Sequence, residues 1–76
     1  MKDTLIFILK SIVDKPEKVV VEEQSNDQRN ILTVTVDESD MGKVIGKRGR
    51  IIKAIRDLIK IIAAKNKTYI DVIINE

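Results

Sequence analysis

Met41-Gly42-Lys43-Val44-Ile45-Gly46-Lys47-Arg48-Gly49-Arg50-Ile51-Ile52 holds all three glycines of the chain. Gly46 and Gly49 bracket two cations, with apolar residues on either side. Glycine adopts backbone conformations closed to other residues and leaves no Cβ in the way of a ligand. Downstream, Ile51, Ile52, Ile55, Leu58, Ile59 and Ile62 recur at helical spacing, which predicts a long helix from the loop to about Ala64. Lys53, Arg56 and Lys60 are expected on its opposite side. Upstream, Asp37-Glu38-Ser39-Asp40 offers N-cap residues for a short helix, Asp40 to Ile45. The stretch therefore reads helix, loop, helix. The second helix begins with unpaired N–H groups and a positive dipole end, which accept phosphate. Lys47 and Arg48 add two full charges there, and Lys43, Arg50 and Lys53 lie within a turn or two. Val44 and Ile45 are expected to floor a groove for bases.

Working outward, Leu5, Ile8, Leu9 and Ile12 predict a first helix over about Asp3–Val13, capped by Asp3 or Thr4 and stopped ahead of Pro16. Phe7 is expected in the core. Lys18–Gln24, with Val19-Val20-Val21, reads as a strand, Ser25–Gln28 as a turn, and Asn30–Asp37 as a second strand with Leu32, Val34 and Val36 on one face. Tyr69–Ile74 reads as a third, with Ile70, Val72 and Ile74 in phase. The order αββααβ predicts an α+β fold. Two adjacent antiparallel strands precede a right-handed helical crossover to a third strand, parallel to the second. Helices then cover one face of a three-stranded mixed sheet.

Seventy-six residues make one domain, 1–76, too small for a deep substrate cavity beside a packed core. Histidine and cysteine are both absent, which removes the commonest general base, the commonest metal ligands and any disulfide. The acids at 37–40 read as caps, not as a metal site, and no nucleophile–base pair is visible. No enzyme, metal or cofactor is expected. The apolar N-terminal stretch, about nine residues, is too short to span a bilayer, and it lacks a signal-peptide cleavage site. A soluble, cytoplasmic protein is expected. Residues 1–42 carry five basic and nine acidic side chains, a net of −4, whereas residues 43–76 carry nine and three, a net of +6. A basic half beside an acidic half points to a polyanionic partner.

A P-loop does not fit, because Gly42 and Gly46-Lys47 are one residue too close and Arg48 replaces the hydroxyl that would hold magnesium. A Rossmann loop would follow a strand directly and needs another glycine. Without Lys47 and Arg48 the glycines would read as serving a turn alone.

Val44-Ile45-Gly46-Lys47-Arg48-Gly49-Arg50-Ile51-Ile52 resembles the Ile/Val-Ile-Gly-x-x-Gly-x-x-Ile signature of the K-homology (KH) domain. The element order resembles the type II, bacterial form, and the whole chain is similar to small bacterial KH proteins of the KhpA kind. That resemblance implies a loop clamping the backbone of about four nucleotides of single-stranded RNA, in a general chaperone-like or regulatory role. Gly46, Lys47, Arg48 and Gly49 would touch backbone, and Val44 and Ile45 would line the base groove. It also implies a homodimer or a second KH-containing partner. The competing expectation is a protein–protein adaptor with incidental RNA contact. With Phe7 and Tyr69 the only aromatics, stacking should contribute little and phosphate contacts most. Ile61, near Ala54 and off the main apolar stripe, is the expected self-association surface.

Overall fold

Leu5 and Leu9, one helical turn apart, are fully buried. They orient helix α1 (Lys2–Ile12) in a computed structural model that describes residues 1–27 and 29–76. Met1, not Asp3 or Thr4, occupies the N-cap, and no side chain bonds there. Phe7 stands two residues from each leucine, about 200° round the helix, and is 73% exposed. The expectation of a core phenylalanine is therefore wrong, since helical position outweighs residue type. Ile12 is 37% exposed, and Ile8 is half-buried.

Pro16 opens a 3-10 turn, Pro16–Lys18, where its fixed φ and missing N–H suit the first position. Strand β1 (Val20–Asn26) thus starts two residues later than the expected Lys18 and extends through Ser25 and Asn26. Asn26 pairs with Arg29. The expected turn over Ser25–Gln28 starts only at Asp27, whose φ is 57°; Gln28 lies outside the described residues.

Strand β2 (Arg29–Thr35) is central. It is antiparallel to β1, with Val21 opposite Val34, and parallel to β3 (Tyr69–Ile74), with Leu32 opposite Val72. Leu32, Val34 and Val36 are buried with Val21, Ile70 and Val72, which marks the helix-covered face. A short helix α2 (Met41–Ile45) and a 16-residue helix α3 (Arg50–Lys65) form the crossover. Ile52, Ile55, Ile59 and Ala63 are the buried stripe of α3. The α+β architecture and the αββααβ order match the expectation from sequence, including the parallel third strand. The stripe is narrower than the periodicity suggests, because Ile51 and Leu58 are exposed on its flank.

Candidate nucleic-acid interface

The loop between α2 and α3, Gly46–Gly49, holds a 3-10 turn, Lys47–Gly49, closed by the Gly49 N–H donating to the Gly46 carbonyl at 3.2 Å. Three of its residues have positive φ: Gly46 (φ 75°, ψ 176°), Arg48 (57°, 26°) and Gly49 (70°, 19°). At Gly46 that conformation is open to glycine almost alone. A Cβ there would also lie 2.6 Å from Ile51 Cγ1 and 2.9 Å from Ile51 Cβ. The room at Gly46 is thus filled by the protein itself and not kept for a ligand. At Gly49 a Cβ would meet only Ile52 Cγ2, at 4.0 Å. Gly49 is the N-cap of α3 and turns the chain from left-handed into right-handed helical backbone. Such a reversal, followed by the first N–H groups of a helix, makes a concavity for anions.

Around it the cations divide. Lys47, Arg48 and Arg50 are exposed, and among the described residues none of them forms an ion pair. Lys43 Nζ, in contrast, pairs with Asp14, and Lys53 Nζ pairs with Asp57 one turn on at 2.8 Å. The Lys53 contact holds the Asp57 carboxyl below its ordinary pKa. Val44 is fully buried in the core and Ile45 half-buried. Of the two, Val44 underlies the floor expected for bases, and only Ile45 has surface to offer it.

Asp40 anchors the start of α2. Its carboxylate is fully buried, yet it does not cap its own helix. Instead it accepts the backbone N–H groups of Asp14 and Lys15, both at 3.0 Å, from the end of the α1 segment. Asp37 caps the 3-10 turn Glu38–Asp40 that precedes α2, accepting from the Ser39 N–H at 3.0 Å and the Ser39 hydroxyl at 2.5 Å. Those bonds, with Lys15 beyond, hold its carboxyl below the usual pKa. Arg56, expected on the solvent side, is half-buried, and its Nε donates to the Val72 carbonyl at 3.0 Å, tying α3 to β3.

A helix, a turn bracketed by Gly46 and Gly49 and a second helix, set over a β1-β2-β3 sheet, invite comparison with known proteins. The family model for the KhpA/KhpB KH domain matches residues 2–74. The chain belongs to that family. It is 51% identical over 75 residues to the RNA-binding protein KhpA of Clostridium perfringens, covering 96% of this chain and all of the relative. It is 43% identical over 76 residues to KhpA of Chlamydia caviae, covering 100% of this chain and 97% of the other. KhpA of Clostridium acetobutylicum is 54% identical over 65 residues, 86% of this chain and 87% of that protein. No solved structure matches the chain.

In this KH domain the expected site residues Lys43 to Arg50 run from the end of α2 through the loop to the first residue of α3, all at least partly exposed except the buried Val44, and Lys53 lies one turn along α3. The contacts of Asp14, Asp40 and Arg56, which brace the elements around this loop, were not legible in the sequence. Asp40 looks like any N-cap acid in sequence, and its partners lie about 25 residues away. Among the described residues no helix is long and apolar enough to cross a membrane.

Proposed function

We propose that the chain binds single-stranded RNA through the Gly46–Gly49 loop, as a general RNA-binding or chaperone-like factor of the cytoplasm. The observation that carries this reading is the set of three cations, Lys47, Arg48 and Arg50, unpaired among the described residues and gathered where the backbone turns into the N-terminus of α3. Phosphates would sit on the loop and the α3 terminus, with bases over Ile45 and toward Lys53. Lys43 stands at the near edge. The family membership and the names of the relatives support RNA as the polyanion. The role is binding, with no reaction assigned to any residue. A homodimer, or a pair with a second KH protein, fits the exposed apolar residues of α3.

The test reverses the loop's charge. Lys47→Asp with Arg48→Asp should abolish binding of a short single-stranded RNA, because like charge would face phosphate. The circular dichroism spectrum should stay unchanged, since exposed cations contribute little to stability. Wild-type affinity in the folded double variant would remove the loop from the site and leave the adaptor reading.

A further inference from the structure

Lys43 and Asp14 are 29 residues apart in the chain and meet at the surface. Their meeting is set by backbone. The buried Asp40 carboxylate takes the N–H groups of Asp14 and Lys15, which pins that turn beside α2. Lys43 follows Asp40 by three residues, one helical turn, and therefore lies on the same side. Lys15 reinforces the junction by reaching Asp37 at 3.6 Å. The Asp14 carboxylate is thus delivered to Lys43 by a fixed frame, whereas Lys53–Asp57 is an ordinary pair within one helix. Lys43 also lies on the last turn of α2, three residues before Gly46. Among the described residues it is the one cation beside the loop whose ion-pair partner comes from another element.

We propose that Asp14 is an affinity-setting residue: its carboxylate holds the Lys43 ammonium in the free protein, in competition with an RNA phosphate. Lys43 then exchanges one anion for another on binding and contributes less than the unpaired Lys47, Arg48 and Arg50. Removing Asp14 releases it. The pair is exposed, with 47% and 74% of the two side chains accessible, so the effect has the size of a surface ion pair, about two- to five-fold in affinity. The inference rests on the loop reading given above.

The experiment is a double-mutant cycle read by titration with a short single-stranded RNA oligonucleotide at low salt. Its arms are wild type, Asp14→Asn, Lys43→Gln and the double variant. Glu23→Gln, on β1, reports the general effect of losing one negative charge. Asp14→Asn should tighten binding about two- to five-fold, more than Glu23→Gln does. In the Lys43→Gln background the same change should do no more than Glu23→Gln. Asp14→Ser is a second neutral variant should asparagine disturb the turn. A gain no larger than that of Glu23→Gln, or one that persists undiminished without Lys43, overturns the proposal. The Lys47→Asp, Arg48→Asp variant separates the two readings. If it still binds RNA as wild type does, the loop reading fails and this inference with it. If it loses binding while Asp14→Asn has no effect, only the role of Asp14 falls.

Discussion

At Gly46 the backbone has φ 75° and ψ 176°, and the space where a Cβ would stand is taken by Ile51. At Gly49 the backbone is simply left-handed, φ 70° and ψ 19°, with room beside it. These differences separate two substitutions that look alike in sequence. Gly46→Ala meets both a conformation nearly exclusive to glycine and contact with the Cβ of a β-branched neighbour, which cannot rotate away. A loss of about 3 kcal/mol or more is expected. Gly49→Ala meets only the left-handed penalty, about 1–2 kcal/mol. Denaturant midpoints compared at unchanged slope would give the order. Equal losses would mean that Ile51 moves aside freely. Arg48 carries a similar left-handed penalty with a full side chain, which is consistent with its being kept for its charge. The positions of both glycines were legible from the sequence. The reason for the first was not: room for a ligand and room for Ile51 predict the same letter.

Between elements, the decisive contact is again a single group. Asp40 joins the segment after α1 to the start of α2 by accepting two backbone N–H groups inside the fold. Asp40→Ala would leave both donors without partners, and a loss of about 2–3 kcal/mol is expected. For a chain of this size that is a large share of the total. Asp40→Asn keeps one acceptor oxygen and should lose about half as much. Thermal unfolding of the three proteins would show the series, and a wild-type midpoint for Asp40→Ala would mean that water replaces the carboxylate without penalty. The elements themselves were largely legible, because β2 alternates cleanly and α3 repeats its apolar residues over several turns. The failures are local and have causes. A valine run that crosses from a proline turn into a strand hides the strand's first residue. An aromatic side chain draws the eye from the helical angle that puts Phe7 in water. Arg56 looks solvent-facing by spacing, but it sits beside the buried stripe and finds the Val72 carbonyl on β3. Pairings between distant segments leave no mark on local periodicity.

For the whole molecule, the charge division and the exposed seam of α3 each yield an expectation. With Phe7 and Tyr69 the only aromatics, RNA affinity should depend on phosphate contacts. Two to four of them on a single strand give a slope of log K against log salt of roughly −1.4 to −2.8, measurable by repeating the RNA titration over a salt series. A slope near zero would take the basic half out of the site. The seam concerns assembly. Ile51, Ala54, Leu58 and Ile61 follow one another at intervals of three and four residues, and all four are exposed. At 100° per residue they form a line about 120° round α3 from Ile52, Ile55, Ile59 and Ala63. Arg56, Lys53 and Lys60 lie beyond the opposite flank of the buried stripe. A partner helix laid along the seam therefore leaves the basic side of α3 uncovered. Such three-four spacing is the pattern by which helices pack in pairs. Ile61 is 59% exposed, so its burial would contribute about 1–2 kcal/mol per side. Stable interfaces cover about 800 Å² per partner, more than four side chains supply, so a weak, concentration-dependent dimer is expected. Ile61→Lys should then give a monomer at concentrations where the parent is a dimer, with an unchanged unfolding midpoint for the monomer, because Ile61 is outside the core. Light scattering over a concentration series, for both proteins, measures this. A parent that stays monomeric throughout would leave the seam to a different KH partner, and an unfolded Ile61→Lys would mean that this isoleucine supports the fold after all.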